Sequence, residues 1–188
     1  MKKLLFIFAL SILAVSTMVS AQGFQQPTEG KAVVYFTRVT LYGKPVEFEF
    51  FHQDKFIGAF KGDQYMRYEV DPGTHLFWAS SENKEFLTAE LEADKIYIVM
   101  VDVIMGAMKA RVGLTPVTID KVEDLHKVKM LVNEKAPTVT PNEKIEKMNK
   151  KLEKFIADKL NNYETKLKNE HSFNHVSTDM AIPLESLK

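Results

Sequence analysis

His171 and His175 sit four residues apart beside Glu170, with Asp179 close behind. On a helix both imidazoles would share one face and could hold zinc or copper. A metal centre needs a third and fourth ligand that this spacing does not supply, so two solvated histidines at a fraying helix end are the plainer reading. Met100, Met105 and Met108 offer thioethers to copper(I). Strand alternation, however, puts Met100 and Met108 on one face and Met105 on the other, as core filling would. Asp102 interrupts an apolar run, and a carboxylate buried there would hold its proton more tightly and could act as an acid or base. Glu47 and Glu49 share a strand face and could form a carboxylate pair. The apolar Val46, Phe48 and Phe50 point the other way, which makes a solvated surface the simpler account. Tyr35, Tyr42, Tyr65, Tyr68, Tyr97 and Trp78 could line a carbohydrate or peptide surface. Cross-strand pairing in a core is the ordinary fate of strand aromatics.

No nucleophile elbow, phosphate loop, zincin helix or dinucleotide fingerprint occurs in the 188 residues. There is no cysteine, hence no disulfide and no thiolate ligand or nucleophile. These absences weigh against an enzyme, and no cofactor is expected.

The elements that position these side chains follow from periodicity. Seven or eight short strand-like runs lie between residues 31 and 117, each closed by turn residues. Phe48 and Phe50 alternating with Glu47 and Glu49 give the period of a half-buried strand. Asp71-Pro72-Gly73-Thr74 has proline to preset one turn angle and glycine to take a positive φ. The nearly continuous apolar run of residues 96–101 predicts a strand covered on both faces. The expected fold is mainly β, a small antiparallel sandwich of seven or eight strands, followed by one short and one long helix.

Asp120 and Glu123 have the offset of a capping pair, and Val122, Leu125, Val128 and Val132 the spacing of a short helix. A linker over residues 134–141 follows, with Pro137 and Pro141. Thr140-Pro141-Asn142-Glu143 predicts a second helix capped by Thr140, with Pro141 at its first position. That helix should span residues 142–168. Ile145, Met148, Leu152, Phe155, Ile156, Leu160, Tyr163 and Leu167 form its apolar stripe. Burying each large side chain is worth roughly 1.5–3 kcal/mol. The stripe therefore needs a cover, which its own sandwich, another helix or a membrane surface could supply; the expected use is as a contact surface for an envelope protein or a second copy. Lysines mixed with glutamates on the polar face argue against a membrane surface. Residues 169–188 read as a polar tail with an apolar patch at Met180-Ala181-Ile182-Pro183-Leu184.

The chain opens Met1-Lys2-Lys3, then runs apolar from residue 4 to 15 but for Ser11, and reaches Val19-Ser20-Ala21 before Gln22. A charged start, a short apolar middle and a small-residue exit predict a signal peptide over residues 1–21, and residues 22–30 a loose leader. The apolar run is short for a membrane span. Export to the periplasm or the medium follows, with no transmembrane segment in the mature chain. Residue 22 is not cysteine, so no lipid anchor is expected there. Basic and acidic residues number 25 each, and losing Lys2 and Lys3 leaves a net charge of −2, without the electrostatic footprint of a nucleic-acid binder.

Residues 31–117 resemble domain of unknown function 2846, a bacterial family of exported and lipoprotein-like domains. The resemblance rests on Ala32-Val33-Val34-Tyr35-Phe36-Thr37-Arg38, on Gln53-Asp54-Lys55-Phe56-Ile57-Gly58, on Val70-Asp71-Pro72-Gly73-Thr74-His75 and on Leu91-Glu92-Ala93-Asp94-Lys95-Ile96-Tyr97. Asp54 and Asp94 stand where the family usually carries glycine, and aspartate tolerates left-handed angles better than most residues. The resemblance implies a β fold in the cell envelope and no particular reaction. The function expected is that of a non-enzymatic envelope protein that binds another macromolecule through its long helix, with a small-ligand or metal carrier as the alternative.

Overall fold

A computed structural model describes residues 23–40, 46–106 and 110–188. The expected signal peptide, Tyr42 and Met108 lie outside the described residues. Among the described residues the chain is mostly β, with nine strands in two sheets and a long C-terminal helix. The strands are β1 (Ala32–Arg38), β2 (Glu47–His52), β3 (Lys55–Lys61), β4 (Gln64–Val70), β5 (Gly73–Ser80), β6 (Lys84–Leu91), β7 (Ile96–Ile104), β8 (Arg111–Val117) and β9 (Asn174–Val176). One sheet has the order β4-β1-β7-β8, the other β3-β2-β5-β6-β9.

The pairing is not wholly antiparallel as expected: β1 runs parallel to β7, and β9 parallel to β6. The first eight strands were legible as apolar runs. The ninth was not, because three residues carry no readable period.

Two-residue alternation divides each strand between two cores. Val34, Phe36, Phe48, Phe50, Phe77, Leu87, Tyr97 and Val99 meet between the sheets. On the far face of the four-stranded sheet, Val33, Tyr35, Ile96 and Ile98 pack under helix α1 (Val122–Glu134). All seven residues of β1 are buried for this reason. The same far face takes Ile182 and Leu187, so the tail is a packed strap. The far face of the five-stranded sheet carries Phe51, Phe56, Trp78 and Phe86 under helix α2 (Asn142–Asn162). A π-type turn, Tyr163–Leu167, and a last helical turn, Lys168–Glu170, extend α2.

Neither helix starts as its sequence predicts. The expected Thr140 cap is diverted: its hydroxyl lies 3.4 Å from the Ala59 N–H of β3, and α2 begins at Asn142 after Pro141 without a side-chain cap. Helix α1 likewise begins at Val122 with Lys121 at the cap position, and Val122 itself is 72% exposed. Its buried face is Leu125, Val128, Leu131 and Val132.

The turns keep their chemistry with one shift of position. Gly73 has φ +124° and Asp94 φ +61°. In the β2–β3 turn the left-handed residue is Gln53, at φ +50°, rather than Asp54. At two of the four sheet edges, β8 and β3, asparagine side chains bond the outward backbone. Asn83 accepts from the Val112 N–H and donates to its carbonyl, each at 2.8 Å. Asn174 donates to the Leu114 carbonyl at 2.7 Å. Asn149 treats Phe56 of β3 in the same manner. Open edges invite pairing with other chains, and these amides occupy two of them.

Candidate functional site

Two constructions stand out, one polar and one apolar. The first lies between the sheets, at the end of β2. Inner positions of β2 are Phe48, Phe50 and, two residues on, His52. Inner positions of β5 are His75, Phe77 and Ala79. His52 pairs in register with Phe77 and stacks on its ring at 4.8 Å. The Nε2 of His52 is 2.9 Å from Nδ1 of His75. The Nδ1 of His52 is 3.1 Å from the Tyr68 hydroxyl on β4, in the opposite sheet. The Nε2 of His75 is 2.8 Å from the Asp71 carbonyl.

These distances fix the hydrogens. A carbonyl only accepts, so His75 donates from Nε2, and its Nδ1 in the neutral ring must accept. His52 therefore donates from Nε2 and accepts at Nδ1, and the Tyr68 hydroxyl donates to it. Every ring nitrogen has a partner with both imidazoles neutral. Burial pushes His52 down to about 4, with His75 and Lys55 acting in the same direction and Asp54 against them. Burial also raises the Tyr68 phenol above its ordinary value. No ring nitrogen remains open for a metal or a substrate proton. The arrangement ties one sheet to the other through two imidazoles and a phenol. His52 was within reach of the sequence, since it continues the inner positions of Phe48 and Phe50.

The second construction is α2 and the sheet beneath it. Ile145, Met148, Leu152, Phe155, Ile156, Leu160, Tyr163 and Leu167 all join the cluster formed by Phe51, Phe56, Ala59, Trp78 and Phe86. Phe51 lies flat on Trp78, ring centroids 3.8 Å apart, and Tyr163 stacks on Phe86 at 4.5 Å. The chain's own sheet is thus the cover, one of the three the stripe allowed, and these residues are not the contact surface for another chain that was expected of them. Four large aromatic side chains on the sheet's outer face, Phe51, Phe56, Trp78 and Phe86, need the same cover that the helix needs, and each satisfies the other.

Docking leaves a groove of 560 Å³ between α2 and the β2–β3 turn. It is lined by the apolar Ile156, Ala157 and Leu160 and by the polar Asn149, with Asp54 and Lys55 from the turn and Glu146, Lys150 and Glu153 from the helix.

The remaining candidates are dispersed. The helix ends at Glu170, so His171 is in extended backbone and His175 is on β9, its Nδ1 2.9 Å from the Thr88 hydroxyl. The two do not share a helix face, and no group of three His, Asp or Glu side chains among the described residues could hold a metal. Met105 is 90% exposed beyond the end of β7, while Met100 packs against the α1 side of the four-stranded sheet. Asp102 accepts a 2.6 Å hydrogen bond from the Thr115 hydroxyl across the β7–β8 ladder. Glu47 is exposed, but Glu49 is half-buried beside α2. Burial and then Glu47 raise the Glu49 carboxyl, opposed by Lys151, Lys84 and Lys144. Tyr35, Tyr65, Tyr97 and Trp78 are buried in the three cores, and Tyr68 serves the histidine pair.

No family model, no curated protein and no solved structure matches the chain.

Proposed function

We propose that this chain is an exported, non-enzymatic binding module of the cell envelope, a β-sandwich scaffold that meets its partner at the groove between α2 and the β2–β3 turn. The observation that carries this reading is the lining of the groove: the apolar Ile156, Ala157 and Leu160 together with side chains of both charge signs. Protein contact patches combine the two, an apolar centre that gives affinity and a polar rim that gives register. The partner is a protein segment with an apolar anchor side chain flanked by charges of both signs. The expected signal peptide over residues 1–21 and the turn residues that resemble domain of unknown function 2846 support the envelope assignment. The full engagement of the His52 and His75 nitrogens supports a non-enzymatic role.

A small-ligand carrier is the second reading, favoured by one observation: 560 Å³ falls within the roughly 300–1,000 Å³ of small-molecule sites.

A photoreactive residue at Lys150, with a control at Lys127 on α1, tests the first reading in the intact envelope. A discrete protein adduct from position 150, absent from position 127 and abolished by Ala157→Trp, supports it. Equal labelling from both positions, or labelling unchanged by Ala157→Trp, overturns it. Amino-terminal sequencing of the envelope-derived protein should begin at Gln22; an intact Met1 would remove the export premise.

A further inference from the structure

We propose that Tyr68, His52 and His75 form a proton-operated latch between the two sheets, closed while both imidazoles are neutral and released in acid. Tyr68 belongs to the four-stranded sheet and both histidines to the five-stranded sheet, so the Tyr68–His52 hydrogen bond ties one layer to the other. Its direction is set at the far end, where the Asp71 carbonyl can only accept. All donors then run one way, from the phenol through both rings to the carbonyl.

Adding protons breaks this order in two stages. A first proton has one place to go, Nδ1 of His52. The phenol must turn and accept from the new N–H, so its own hydrogen loses the imidazole. The charge can then pass to His75 if the hydrogen between the rings crosses from His52 Nε2 to His75 Nδ1, while His75 Nε2–H still donates to the Asp71 carbonyl. A second proton would set an N–H of one ring against an N–H of the other across 2.9 Å. The closed latch therefore holds at most one extra proton, and the rings must part to take two.

The surroundings offer the cation little. The groups that face the pair are His75, Lys55 and Asp54 around His52, Tyr68 from β4, and Asp71 beside His75. The Asp71 carboxylate is held by Lys31 at 2.6 Å. Among the described residues no carboxylate hydrogen-bonds to either ring. Phe77 stacks on His52 and shields it from water.

The sign of the linkage follows. A histidine kept neutral in the fold binds its proton less readily than in the unfolded chain, where it titrates near ~6.5. Between that pH and about 4 the unfolded chain carries more protons, so the fold loses stability as pH falls through this window and levels off below it.

Nitrogen-15 NMR of the histidine rings and urea unfolding from pH 8 to 3.5 test the latch on the full chain. At pH 7.5 both rings should be neutral with the hydrogen on Nε2. Between pH 6.5 and 4 the folded-to-unfolded ratio should fall at least about tenfold more in the wild type than in His52→Gln. A cationic ring or an Nδ1–H tautomer at pH 7.5 overturns the proposal, as do superimposable pH profiles for wild type and variant. If His52→Gln does not fold, the wild type alone decides. Loss of the Tyr68–His52 ring contact as the second imidazole gains its proton supports the latch. Both rings protonated with that contact intact refutes it.

Discussion

Asn149 on α2 holds both backbone polar groups of Phe56, ninety-three residues earlier: its Oδ1 accepts from the Phe56 N–H at 2.8 Å and its Nδ2 donates to the Phe56 carbonyl at 3.2 Å. The amide takes the place of a neighbouring strand along β3. Asn149→Ala should destabilise the fold by roughly 1–3 kcal/mol, because it leaves a half-buried donor and acceptor without partners. Asn149→Asp should recover part of the loss, since a carboxylate still accepts but cannot donate. Urea midpoints at pH 7 measure both. A neutral Asn149→Ala would mean that water replaces the side chain without cost.

Ile156 is 3% exposed at the centre of the helix–sheet interface. Ile156→Asp should lift α2 from the sheet, since a carboxylate without a partner is costly to bury. Trp78 reports the event. It is fully buried between Phe51 and Phe86, with Phe155 above it, and its fluorescence should shift to longer wavelength when the helix leaves. Unchanged emission at native-like circular dichroism would show that the sheet stays covered by other means.

Glu49 gives a pH effect of opposite sense to the histidine latch. Its folded carboxyl is raised, chiefly by burial, so the folded chain binds more protons than the unfolded chain above the ordinary value of ~4.3. Stability from this group is fully present in acid and is lost as pH rises through the folded value. Glu49→Gln should therefore raise the urea midpoint at pH 7 and leave it unchanged at pH 3. A variant that gains nothing at pH 7 would show that Lys84, Lys144 and Lys151 offset the burial completely.

Gly58 sits where a Cβ would lie 2.8 Å from the Met66 sulfur and 3.0 Å from the Thr140 hydroxyl. Gly58→Ala should cost roughly 1–3 kcal/mol by overpacking. Combined with Met66→Ala, the loss should be smaller than the sum of the two single losses, because the second change vacates the space the first requires. Strict additivity in a double-mutant cycle would rule out this contact as the source.

The carboxyl-terminal strap should matter as a core element. Ending the chain at Glu170 removes Val176, Ile182 and Leu187, each at most 2% exposed, and opens the β6 edge that β9 covers. The shortened chain should bind a hydrophobic dye and melt earlier, by an amount set by three lost buried aliphatic side chains at roughly 1.5–3 kcal/mol each. Equal melting of the two chains would contradict the packing of the strap.

Local pattern alone determined the succession of short strands, the faces of β2, the positive φ at Gly73 and the apolar stripe of α2, since alternation and turn chemistry are properties of neighbours in sequence. What covers the stripe was a tertiary matter. Ile145 to Leu167 state that a partner is required, yet Phe51, Trp78 and Phe86 are unremarkable strand aromatics until the sheet turns that face outward. The same holds for Thr140, whose capping pattern is genuine but whose hydroxyl turns to β3. His52 and His75 are twenty-three residues apart, and only the alignment of β2 with β5 brings their nitrogens to 2.9 Å. Sequence period fixes which way a side chain points; strand order and register decide what it meets, because those contacts close long loops that no local spacing encodes.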